Sequence, residues 1–182
     1  QPCSSAASDV YKRQHLYSGG AIMGLVDEFH YSRNKTIKSY IHTHEQSLGH
    51  AATGYAKSSG KMGVSTVTSG PGLTNMITPM LDSTNDSTPL MVISGQVSTN
   101  VMGTNAFQEC DAVGLSKSAT KFSYCIKEIN ELPYIMDIAY KIANTGKKGT
   151  VHIDLPKDIS SSIFKDSLSL SDKINVSRLY NN

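Results

Sequence analysis

Apolar positions along the chain fall into two alternating rhythms. Short runs at Ile37 to Ile41, Val64 to Val67, Pro89 to Ile93, Lys121 to Ile126 and Val151 to Leu155 carry the β-branched and aromatic character of strands. Between them, apolar residues recur with helical spacing: Leu48, Ala51, Ala52, Tyr55 and Ala56; then Leu73, Met76, Ile77, Met80 and Leu81; then Ile135, Ile138, Ala139, Ile142 and Ala143. A shorter set, Ile22, Met23, Leu25, Val26 and Phe29, suits a helix packed on a sheet. Strands alternating with helices at this spacing predict an α/β fold, a doubly wound, mostly parallel sheet flanked by helices. Pro79, inside the second long helical run, predicts a kink or a local break.

The polar positions punctuate this pattern where strands end. Tyr17-Ser18-Gly19-Gly20-Ala21 is a turn whose glycines let the backbone approach a ligand, or serve only to turn the chain. Thr68-Ser69-Gly70-Pro71-Gly72 joins a strand to a helix, and Ser94-Gly95-Gln96 ends another strand before the long polar stretch from Val97 to Glu109, which reads as a functional loop. Thr43, with Gln46 three residues on, forms a capping box for the helix that follows, and Asn130 with Pro133 marks the start of another. These signals place Glu45 in the first turn of a helix at the carboxyl end of a strand, where open α/β sheets bind their ligands. Taken alone, such a carboxylate is equally a helix-terminal charge worth about 0.3–1 kcal/mol.

Composition narrows the class. A chain of 182 residues holds one domain with its own core, and 38% apolar with 18% charged residues is an ordinary globular balance. The net charge of +2, without a basic block, gives no argument for nucleic acid, and no apolar run approaches a membrane span. Cys3, Cys110 and Cys125 are odd in number and lack CxxC spacing, so a reducing compartment is expected. His42, His44, Glu45 and His50 crowd together, but His44 and His50 are six apart and nearly opposite on a helix, so a metal site is not expected. Residues 1–14 carry no period and read as a cloning or assembly remnant or a disordered segment, 15–159 as the domain, and 160–182 as a linker towards a further domain.

Six motifs in register change the weight of Glu45. They are Tyr17–Ile22; His44-Glu45-Gln46 with His50–Ala56; Thr68–Asn75; Ser94–Val97; Gly103–Glu109; and Val151–Asp158. Together they resemble the N-terminal domain of the acetolactate synthase (acetohydroxyacid synthase) large subunit, from about Leu16 to Asp158. The Gly-Thr-x-Ala-Phe-Gln-Glu loop favours this family over other thiamine-diphosphate enzymes such as pyruvate oxidase or glyoxylate carboligase. The resemblance implies a pyrimidine-binding domain for thiamine diphosphate. In it, Glu45 bonds N1′ of the aminopyrimidine and favours the imino tautomer that takes the thiazolium C2 proton, the start of a condensation of two 2-keto acids with loss of carbon dioxide. It further implies that Glu45, Thr68, Pro71, Asn75 and Gln108 contact the cofactor, and that Gly20, Ala21, Ser98, Phe107 and Gln108 line the substrate channel.

The resemblance also implies what lies elsewhere. Mg²⁺, with the diphosphate, and FAD belong to further domains, and this chain alone is expected to be inactive. The implied partners are 2-keto acids, a second copy in a homodimer or homotetramer, and a regulatory small subunit. The compartment would be the cytoplasm of a bacterium, or a plastid or mitochondrion of a eukaryote. Ser18 and Ser98 stand where the family usually has Pro, and Asn105 where it often has Asp; Ser98 implies weaker sulfonylurea inhibition. A stand-alone docking subunit of a split enzyme is the rival reading.

Overall fold

A computed structural model describes residues 13–31 and 37–163, so the expectations for residues 1–12 and 164–182 lie outside the described residues. Six strands, β1 (Arg13–Leu16), β2 (Lys38–Ile41), β3 (Gly63–Val67), β4 (Leu90–Gln96), β5 (Phe122–Cys125) and β6 (Thr150–Pro156), form one parallel sheet in the order β2-β1-β3-β4-β6-β5. The helices are α1 (Met23–Tyr31), α2 (Glu45–Ser59), α3 (Pro71–Thr74), α4 (Ile77–Asn85), α5 (Ala112–Ser116), α6 (Leu132–Asn144) and α7 (Lys157–Ser160).

Strand side chains alternate between two apolar layers, because successive residues of a strand point to opposite faces. Val64, Met91, Ile93, Val151 and Ile153 pack with Ile22 and with Ile135, Ala139 and Ala143 of α6. Val67, Leu90 and Val92 pack on the other face with Leu48 and Ala52 of α2, Leu73 of α3, Met76 at the N-cap of α4 and Met80 within it. The central strands β3, β4 and β6 are buried along their whole length, as a parallel sheet covered on both faces requires. β2 is an exposed edge strand, with Lys38 at its start.

β1 is the strand that the apolar rhythm does not announce, and it begins at Arg13, two residues before the domain start drawn at residue 15. Gln14 and His15 are buried polar residues: Gln14 Oε1 accepts from Thr66 Oγ1 at 3.0 Å, and His15 Nδ1 lies 3.0 Å from His42 Nε2. Two helix starts also differ from expectation. His44, not Thr43, caps α2, its Nδ1 accepting from the Gln46 amide at 3.1 Å. Glu128 and Glu131 close a capping box on the 3-10 turn before α6, inside which Asn130 sits. The break predicted by Pro79 is present: helix stops after Thr74 and resumes at Ile77, placing Pro79 in the first turn of α4, where its missing N–H costs nothing.

The chain leaves β1 towards β2 on one side and leaves β3 towards β4 on the other. The carboxyl ends of β1 and β3 are therefore the switch point of the sheet, where the diverging loops open a crevice.

Candidate functional site

Glu45 opens α2, and the residue is only 8% exposed although it carries a carboxylate. The break between α3 and α4 brings Asn75 to it: Asn75 Nδ2 donates to Glu45 Oε2 at 2.9 Å. The other oxygen, Oε1, takes no hydrogen bond from the described residues. A buried carboxylate with one oxygen tied and one free can exchange a proton with a ligand without swinging away, because Asn75 fixes its plane.

Glycines knit the surrounding loops together. A Cβ on Gly19 would lie 2.5 Å from Thr68 Cβ, so the β1 turn rests directly on Thr68. A Cβ on Gly95 would meet the Ala21 backbone at 2.8 Å, joining the same turn to the end of β4. Gly70 has φ +55° and a Cβ there would lie 2.6 Å from the Gln108 carbonyl oxygen, which packs the long loop onto the β3 turn. Each of these approaches excludes any larger residue. Asn105 and Gln108 also have positive φ, +57° and +60°, an arrangement that costs L residues energy and gathers at functional loops.

The remaining predicted residues sit on the same rim without touching Glu45 in the described contacts. Pro71 opens α3, and its carbonyl accepts from the Asn75 amide at 3.2 Å, so it shapes the turn that aims Asn75. Ser98 precedes the 3-10 turn Thr99–Val101, its carbonyl accepting from the Val101 amide at 3.0 Å. Phe107 is 89% exposed and fills no core. A Cβ on Gly20 would meet nothing within 4 Å, so that face of the turn is open. The crowded histidines go to separate tasks: His44 caps α2, His42 meets His15, and His50 pairs with Asp82 at 3.6 Å.

Glu109 is a residue whose part the sequence pattern did not reveal. Its carboxylate accepts from the Gly103 amide and, at 2.9 Å, from the Ala106 amide, and these bonds hold its pKa below the ordinary carboxylate value. It closes the Gly103–Glu109 loop on itself. Gln96, the last residue of β4, and Asp154, inside β6, are buried polar residues to which the sequence pattern assigned no part.

The family described as "Thiamine pyrophosphate enzyme, N-terminal TPP binding domain" matches residues 11–115. The chain belongs to this family. Among curated relatives, the mitochondrial acetolactate synthase catalytic subunit of Saccharomyces cerevisiae is 46% identical over 152 residues, 84% of this chain and 22% of that protein. The acetolactate synthase large subunit of Lactococcus lactis is 48% identical over 145 residues, 80% of this chain and 25% of the relative. That of Haemophilus influenzae is 44% identical over 149 residues, 82% of this chain and 26% of the relative. The chain thus spans about a quarter of the length of the curated relatives it matches.

As a thiamine pyrophosphate enzyme domain, the chain has residues that fit the pyrimidine end of that cofactor. Thr68 Oγ1 is buried and has no hydrogen-bond partner among the described residues, an unmet polar group that a heteroaromatic ring with alternating donors and acceptors can satisfy. Glu45 would supply a buried carboxylate, and the open side of Gly20 would leave room beside it. Among the described residues no group of three or more His, Cys, Asp or Glu could hold a metal ion, and no helix is long and apolar enough to cross a membrane.

Proposed function

We propose that the full-length protein is an acetolactate synthase, condensing pyruvate with a second pyruvate or with 2-oxobutanoate, with loss of carbon dioxide, in branched-chain amino-acid biosynthesis. The relatives carrying that name, 44–48% identical across four fifths of this chain, support the assignment. The observation that carries the chemistry is the buried Glu45, one oxygen held by Asn75 at 2.9 Å and the other without a hydrogen bond from the described residues. Thiamine diphosphate, when bound, supplies the electron sink through which a 2-keto acid loses carbon dioxide.

In this reading Glu45 holds a proton at Oε1 for the pyrimidine, and Asn75 keeps the carboxylate in plane. Thr68 offers its buried hydroxyl, and Pro71 sets the turn that carries Asn75. Gly20 and Ala21 admit the substrate by close backbone approach, and Ser98, Phe107 and Gln108 border its channel, with Gln108 near the reacting carbons. Mg²⁺ and FAD belong to the remainder of the enzyme, this domain takes part in a homodimer or homotetramer, a regulatory small subunit is a further partner, and the compartment follows the host. Residues 15–159 are the functional domain, with 160–182 leading out of it.

The test is product analysis of the full-length protein with pyruvate. Acetolactate is expected, with none formed by this chain alone. Acetyl phosphate as the product, or turnover of glyoxylate in place of pyruvate, would contradict the assignment.

A further inference from the structure

The Val151–Asp158 motif has no part in the chemistry described so far, yet its two carboxylates grip the loop that carries Gln108. Gln96, at the end of β4, donates from Nε2 to Asp154 Oδ2 at 2.9 Å and to the Cys110 carbonyl at 3.0 Å, while its Oε1 accepts from the Val97 amide at 2.9 Å. Val97 is where the loop leaves the sheet, and Cys110 is two residues past Gln108. Both roots of the loop are therefore tied to one side chain, and Asp154 holds that side chain in place. Ser94 Oγ donates to the second Asp154 oxygen at 2.6 Å, so the carboxylate is bound on both sides. Four residues on, Asp158 accepts from the Thr99 amide at 3.0 Å and from Thr99 Oγ1 at 2.5 Å, pinning the first turn of the loop.

We propose that Gln96 and Asp154, with Asp158 as an outer clamp, are positioning residues that set the placement of Gln108 and Phe107 over the site. The inference rests on the reading of Gln108 as a residue near the reacting carbons. Two residues span at most about 7 Å, so a shift of the Cys110 carbonyl passes directly to Gln108. No other buried side chain bridges Val97 and Cys110 among the described hydrogen bonds.

Shape and chemistry separate under substitution. Gln96→Met keeps the volume and removes all three bonds. Gln96→Glu sets an acceptor against the Asp154 carboxylate and the Cys110 carbonyl. Asp154→Asn preserves the arrangement: its oxygen accepts from Gln96, and its amide donates to Ser94, which turns its own proton to His152 Nε2, 2.8 Å away.

Amide hydrogen exchange of residues 97–110 in the cofactor-free full-length protein reads the clamp directly. Gln96→Met and Gln96→Glu are expected to speed exchange in this segment about tenfold or more while leaving β3 unchanged, with Asp154→Asn within about threefold of the parent. In turnover, the two Gln96 variants should lose about tenfold in kcat with KM for pyruvate nearly unmoved. If Gln96 variants do not fold, Thr99→Val provides the same test at the exposed clamp, with faster exchange over 98–104. Unchanged exchange in the folded variants overturns the clamp. Faster exchange in an enzyme whose parent makes no acetolactate overturns the functional reading and leaves the clamp standing.

Discussion

The contact between Asn75 and Glu45 joins two stretches thirty positions apart, and its chemistry is specific to an amide. Asn75→Ala removes a hydrogen bond to a charged or proton-bearing group, worth about 1.5–3 kcal/mol, so kcat/KM of the full-length enzyme should fall roughly 10- to 100-fold. Asn75→Asp keeps the size but faces one carboxylate with another, and steady-state kinetics should find it worse than Ala; parent-like activity in Asn75→Asp would show that the amide does not orient Glu45. At this scale, motif reading located Glu45 and Asn75 but not their bond, because the break after Thr74 that aims Asn75 depends on how α3 and α4 pack. Glu109, Gln96 and Asp154 escaped because their partners are backbone groups and buried side chains brought close only by the fold.

Helix α2 shows how an element is fixed by both its small and its large residues. Gly49 faces α4: a Cβ there would come within 2.5 Å of Pro79 Cγ and 2.9 Å of Met76 Cε. Gly54, on the same helix, faces open space. Gly49→Ala should therefore force the helices apart and cost about 1–3 kcal/mol, whereas Gly54→Ala should gain up to about 1 kcal/mol from helix propensity. Urea midpoints of the two variants should move in opposite directions, and a shared direction would mean that the α2–α4 contact does not limit packing. Sequence periodicity found this helix because Leu48, Ala52 and Ala56 line its buried face. It missed β1 because a strand at the switch point buries Gln14 and His15 through hydrogen bonds instead of apolar contact. It placed the cap at Thr43 because a histidine caps only when its tautomer leaves Nδ1 free to accept, which composition does not reveal.

Across the whole molecule, buried titratable groups set opposing pH responses. Burial lowers the His152 pKa to about 3, and burial, then the neighbouring His42 and Arg13, lower that of His15 to about 4. Both stay neutral in the folded state while the unfolded chain protonates near 6.5, so their stability is present above that pH and is lost as pH falls towards 3–4. Asp154 runs the other way. Burial raises its pKa from 3.8 to about 6, so its contribution is present below 3.8 and is lost as pH rises through about 6. Removing that charge should stabilise the protein near neutrality by on the order of 3 kcal/mol, since each pKa unit is worth about 1.4 kcal/mol. Urea unfolding of Asp154→Asn should exceed the parent at pH 7 and converge with it near pH 4, while the parent itself weakens from pH 7 to pH 4; an advantage independent of pH would place the effect in packing.

The role proposed for Glu45 is to hold a proton for the pyrimidine of thiamine diphosphate, and exchange of the bound cofactor's C2 proton with deuterated water reports that role before any substrate enters. In the full-length enzyme with cofactor bound, Glu45→Gln should slow this exchange by about 10² to 10⁴ relative to the parent. Exchange at the parental rate, with the cofactor still bound, would contradict the role assigned to Glu45.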